Sequence, residues 1–138
     1  MAEQEILGGQ FISNSGSDEN GRATGGKAGD QTQKEWTIRG WYNRPWDCVL
    51  RHPDTNVARK ISELAIKAAR NDKIGYNQNN RNSYWLLLRS AGYDPAKITT
   101  PCDADCSAGV IANVKAVGYL LGITKLQNIW ATYTGNMR

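Results

Sequence analysis

The sequence predicts an α+β domain, on three observations. A short stretch near residue 38 alternates apolar and polar residues with period two, three later stretches carry apolar residues at helical spacing, and helix-capping residues stand at the ends of those stretches. A chain of 138 residues suits one domain. At that size roughly 68–70% of the unfolded surface can be buried. Residues 1–33 are expected to be a polar, Gly/Ser-rich N-terminal segment, because little after Ile12 can be buried and residues 10–33 are rich in Gly, Ser, Asn and Asp. Residues 34–138 are then the folded part.

The elements follow in order. Trp36, Ile38 and Gly40 alternate with Thr37 and Arg39 as one strand, and Asn43-Arg44-Pro45 interrupts it. Trp46-Asp47-Cys48-Val49-Leu50 reads as a second strand, the other arm of a short β-hairpin, ended by His52-Pro53-Asp54. A first helix starts at Asp54 or Thr55 as N-cap, carries Val57, Ile61, Leu64, Ala65 and Ala68 on one face, and fades at Asn71-Asp72. A second runs from about Asn79 to Ser90, with Tyr84, Leu87, Leu88 and Ala91 on a stripe and Gly92 as the C′ residue. Pro95 opens a connection that reaches Pro101. The third helix carries Val110, Val114, Val117 and Leu121 and is closed by Gly122. Its periodicity places Cys106 in the first turn, with Asp105 or Asp103 near the N-cap.

Composition narrows the function classes. A net charge of +4 favours anionic partners such as nucleic acid, teichoic acid or an acidic membrane face. Lys and Arg are dispersed, with no basic stripe interleaved with aromatics, which disfavours nucleic acid. Trp41 and Trp46 suit a hairpin core or a sugar-stacking platform. The Met1 end has neither a basic n-region nor an apolar h-region, so synthesis in a cytoplasm without a signal peptide is expected. No apolar stretch approaches the ~18 residues that span a bilayer. Three cysteines cannot all pair. Cys102 and Cys106, spaced C-x₃-C beside a single histidine, would need Asp103 or Asp105 to complete a zinc site, so no metal and no cofactor is expected.

Cys106 carries the chemical interest. A thiol at a helix N-terminus faces unpaired backbone N–H groups and the positive end of the dipole, and both favour the nucleophilic thiolate. The same N–H groups can stabilise an oxyanion. On spacing alone, however, the favoured reading is a buried structural thiol, because free cysteine is among the most buried residue types.

A resemblance shifts that balance. Asp105-Cys106-Ser107 at the head of an apolar helix resembles the nucleophile motif of NlpC-type cell-wall peptidases. Further phrases are similar to one phage and prophage lysin group of that class: Gly29-Asp30-Gln31-Thr32, Trp41-Tyr42-Asn43-Arg44-Pro45-Trp46, Ile74-Gly75-Tyr76, Lys97-Ile98-Thr99-Thr100 and Tyr133-Thr134-Gly135-Asn136-Met137. The likeness runs in order over about residues 24–138. It implies the helical half of a papain-like fold with an incomplete sheet. The activity it implies is hydrolysis of a peptidoglycan amide bond in or next to the stem peptide, at the cell wall, after release by phage lysis or on a virion. Cys106 would be the attacking thiolate and Tyr76 a binder of the substrate carbonyl. Asp30, Gln31, Asp105 and Ser107 would lie on the substrate side. Where the group has a second serine after Cys-Ser, this chain has Ala108.

One departure is larger. The class keeps its general base on a histidine strand downstream of the cysteine, and no histidine follows Cys106. The leaving amine needs a proton donor. His52 is the single imidazole, and its place beside Pro53 predicts a local cap or hydrogen bond. It would act as base only in the His-before-Cys order of circularly permuted papain-fold relatives. A shortened domain of this kind leaves the Val/Leu face of its last helix poorly covered, which predicts marginal stability or a completing polypeptide or oligomer. Two other readings stay open: a non-catalytic wall-binding or regulatory remnant, and a small basic nucleic-acid-binding protein. Amidase and endopeptidase action use the same machinery and are not separated by sequence.

Overall fold

The computed structural model describes residues 11–14, 36–41, 43, 45 and 50–131. The elements run β1 (Phe11–Asn14), β2 (Thr37–Gly40), α1 (Thr55–Arg70), β3 (Ile74–Tyr76), α2 (Ser83–Ser90), β4 (Cys102–Ala104), α3 (Cys106–Leu121) and α4 (Thr124–Gln127), with 3₁₀ turns at Gln78–Asn80 and Pro95–Lys97.

Capping chemistry sets the helix ends. Asp54 is the N-cap of α1 and accepts the Asn56 N–H at 2.8 Å. Lys67 and Arg70 stand in the last turn, where the dipole favours cations. Asn71 ends the helix, accepts the Lys73 N–H at 2.9 Å, and donates through Nδ2 to the carbonyls of Pro95 at 2.7 Å and Ile98 at 3.0 Å. One side chain thus stops α1 and anchors the Pro95 connection. The expected start of the second helix near Asn79 is a 3₁₀ turn instead. Asn77 caps that turn through the Asn79 N–H at 2.9 Å, and α2 proper begins at Ser83. Beyond it Gly92 and Tyr93 both take positive φ, +66° and +64°. For tyrosine this is a strained conformation. It is held by the Tyr93 N–H to the Leu88 carbonyl at 2.8 Å and by stacking of the Tyr93 ring on Tyr119, centroids 4.7 Å apart.

The strands depart most from expectation. β2 pairs antiparallel with β1, Ser13 opposite Ile38, so its partner lies upstream, in the segment expected to be loop. The second arm expected at residues 46–50 falls on 46–49, outside the described residues, and on Leu50, which is not in a strand. Ser13 explains why β1 belongs to the folded part: its Oγ donates to the Ala65 carbonyl of α1 at 3.0 Å and accepts from Trp36 Nε1 at 2.7 Å. β3 and β4, neither expected as strands, pair in parallel with Ile74 opposite Cys102 and Tyr76 opposite Ala104.

The core gathers Trp36, Val57, Leu64, Ile74, Tyr84, Leu88 and Val117, with Trp36 meeting Tyr84 edge-on at 5.3 Å. The face that α3 buries is not the Val/Leu stripe. Val117 is buried, but Val110 and Leu121 are exposed, and the deep face is made of Ser107, Gly109, Ala112, Asn113, Ala116 and Gly118. Small residues win because they let neighbouring helices approach. A Cβ on Gly118 would lie 2.6 Å from the Gln127 nitrogen and 2.8 Å from the Leu126 Cβ, both in α4. Gly122 ends α3 with φ +69°, the left-handed cap its position predicts. Among the described residues no helix is long and apolar enough to cross a membrane.

Candidate active site

The site forms where β4 turns into α3. Asp105, extended at φ −108° and ψ −177°, is the N-cap. Its Oδ1 accepts the Ala108 N–H at 2.8 Å, and its Oδ2 pairs with Arg81 Nε at 3.1 Å. Arg81 Nη2 also donates to Ser107 Oγ at 2.9 Å, and that hydroxyl donates to Asp105 Oδ1 at 3.2 Å. Asp105 and Ser107 are both buried. The three side chains close on one another, so the polar atoms of Asp105 and Ser107 fasten the start of α3 instead of facing a substrate.

That network spends the carboxylate on the third helical N–H and leaves the N–H groups of Cys106 and Ser107 at the open first turn. Cys106 itself is exposed. Parallel pairing of β3 with β4 carries Tyr76 to its side, since Tyr76 stands opposite Ala104, two residues before the thiol. Burial raises the Tyr76 hydroxyl above its usual range. A hydrogen bond from Gln78 opposes this, the neighbouring Cys106 and Asp105 add to it, and Arg81 again opposes it. The Tyr76 hydroxyl is therefore a protonated donor at neutral pH. Below Cys106 a cleft of about 160 Å³ runs along α3, walled by Ser13 from β1, Trp36 just before β2, Ile61 and Ala65 from α1, and Val110 and Asn113 from α3. The three α3 residues, at i, i+4 and i+7, share one face of the helix.

The family model of the endolysin-like domain matches residues 12–138. The chain belongs to the endolysin-like domain family. No curated protein and no solved structure matches it. The family match begins inside β1, in keeping with the tie of Ser13 to α1.

The two cysteines of this endolysin-like domain that the structure describes are opposites. Cys102, on β4, is a core residue whose thiol burial pushes up to about 11, with Asp103 adding to the effect. Cys106 contradicts the buried reading that spacing alone favours, and the reason is its position: the first residue of a helix whose cap points inward puts the next side chain outward. His52 lies ahead of α1, where its Nδ1 accepts the Asp54 N–H at 3.1 Å, and it does not line the Cys106 cleft. Asp30, Gln31 and Cys48 lie outside the described residues. Among the described residues no group of three His, Cys, Asp or Glu side chains could hold a metal.

Two residues went unnoticed in the sequence. Arg81 sits in the polar run Asn77–Asn82 with nothing to mark it, whereas Asn113, the one amide on the buried face of an apolar helix, carried a readable signal. On the opposite side of α3 a second groove of about 390 Å³ is lined by Arg81, Trp85, Ile111 and Lys115. Lys115 Nζ lies 4.6 Å from the Trp85 ring centroid and Arg89 Cζ 5.9 Å from it, so the indole there is a seat for two cations.

Proposed function

We propose that this endolysin-like domain hydrolyses a peptidoglycan amide bond, in or next to the stem peptide, with the Cys106 thiolate as nucleophile, in the manner of the NlpC-type papain-like class. The family supports a phage-lysin-related function at the cell wall. The observation that carries the mechanism is an exposed thiol at the first position of a core helix, over a cleft and beside a protonated tyrosine. In this reading the thiolate attacks the amide carbon. The Cys106 and Ser107 N–H groups and the Tyr76 hydroxyl receive the oxyanion. Collapse of the tetrahedral species releases the amine, and water then hydrolyses the thioester.

The leaving amine requires a proton, and the one histidine of the chain does not line the Cys106 cleft. That observation favours a second reading, a wall-binding or regulatory module that retains the thiol without its base. Dye release from purified cell walls separates the two. The first reading expects soluble product from the unaltered chain and none from Cys106→Ala. Release unchanged by Cys106→Ala would remove Cys106 as nucleophile, and pelleting with walls without any release would establish the second reading.

A further inference from the structure

The floor of the Cys106 cleft holds a polar group that the proposed chemistry does not use. Asn113 is 2% exposed, and its Oδ1 accepts the hydroxyl of the fully buried Tyr84 at 2.7 Å. The Tyr84 proton has no other acceptor among the described residues, so the hydroxyl donates and the amide orientation is fixed. Nδ2 is what remains for the cleft that Asn113 lines, and no hydrogen-bond partner for it occurs among the described residues. Nδ2 is not sealed from solvent, so an acceptor brought by a ligand can take the place of water there. Ser13, Trp36, Ile61, Ala65 and Val110 wall the cleft, all apolar except Ser13.

We infer that Asn113 is a specificity-determining residue, whose amide binds the carbonyl oxygen of a small apolar residue, alanine-like in size, in the peptide presented to Cys106. The inference rests on the proposed reading of the cleft as a substrate site. Size follows from the space: about 160 Å³ is well below the ~300 Å³ at which pockets begin to take drug-sized ligands. Position follows from helix geometry. Seven residues of α3 separate Asn113 from Cys106, a rise of ~10 Å. An extended peptide covers that in about three residues. The recognised carbonyl is therefore about three residues from the scissile bond.

Protection of Cys106 from iodoacetamide tests this without any turnover. The probe is acetyl-trialanine amide, compared with the same peptide carrying phenylalanine in the third place. Tyr84→Phe releases the amide to turn but keeps Nδ2 available to a ligand carbonyl, and Tyr84→Phe/Asn113→Leu removes Nδ2 without leaving a hydroxyl unpaired. The trialanine probe should slow alkylation of the unaltered chain and of Tyr84→Phe. Its apparent affinity should fall roughly tenfold in the double variant. The phenylalanine probe should protect little in any of them. Equal protection in the single and double variants overturns the inference. Should the variants fail to fold, the Asn113 side-chain amide resonances of the unaltered chain give the answer, since they must shift on adding the trialanine probe and their constancy would refute binding. Failure of the catalytic reading shows separately, as dye release that survives Cys106→Ala or as pelleting with walls without any release.

Discussion

Replacing Asp105 should cost stability in two separable parts. Asp105→Ala removes the N-cap of α3, a loss of about 1 kcal/mol. It also leaves the Arg81 guanidinium and the Ser107 hydroxyl facing a void where the carboxylate was. Breaking a fully buried pair costs about 3–5 kcal/mol. The Arg81 side chain keeps 27% exposure and the Asp105 side chain 8%, so solvent screens part of that and about 1–3 kcal/mol is the expected share. Together the loss is about 2–4 kcal/mol, or a fall in Tm of roughly 8–15 °C for a chain of this size. Asp105→Asn retains a good cap and loses only the charge pair, so it should sit roughly 1 kcal/mol above Asp105→Ala. Urea unfolding followed by circular dichroism at 222 nm reads both variants directly. Equal midpoints for Asn and Ala, or losses below about 0.5 kcal/mol for both, would refute the view that this carboxylate caps the helix and holds Arg81 at once.

Two more expectations follow from packing and titration. Gly118→Ala should destabilise by about 1–3 kcal/mol, because the new methyl meets backbone and Cβ atoms of α4 that cannot simply rotate away; an unchanged urea midpoint would contradict that close approach. Alkaline pH should also weaken the fold. Cys102 is held up to about 11 and Tyr84 well above 10, so above pH 9 the unfolded chain gives up protons that the folded chain keeps. Their contribution is complete below pH 9 and lost as pH rises through 9–11 and beyond. The urea midpoint should fall over that window and fall less steeply in Cys102→Ala, while a flat profile to pH 10.5 in the unaltered chain would oppose this account.

What the sequence disclosed depended on how each element announces itself. The ends of α1 and α3 were legible because Asp54, Asn71, Asp105 and Gly122 act within one turn, through chemistry that spacing displays. β3 and β4 were not, because three residues are too few for a period to show, and β1 was not, because it opens a stretch whose Gly, Ser, Asn and Asp content reads as loop. The buried face of α3 was misread for a related reason. Gly109, Ala112, Ala116 and Gly118 are buried for their smallness, which a search for large apolar residues passes over. In the site, the neighbourhood of Tyr76 and Cys106 followed from a family likeness, and its physical cause, parallel strand pairing, became visible only in three dimensions. Arg81 offered no local sign, since its meaning comes from Asp105 and Ser107 across the fold.

The short parallel pair has a consequence for the order in which the site comes into being. Tyr76 and Cys106 belong to segments that meet only when β3 and β4 close a loop containing the whole of α2. A nascent chain can wind α3 early, because helix formation is local, but it cannot set the tyrosine beside the thiol until that long-range closure has occurred. The first turn of α3 is thus an early structure, and the pocket around it is a late one. Any reagent that senses Tyr76 and Cys106 together reports completion of the fold, whereas a thiol label alone reports only that the chain exists.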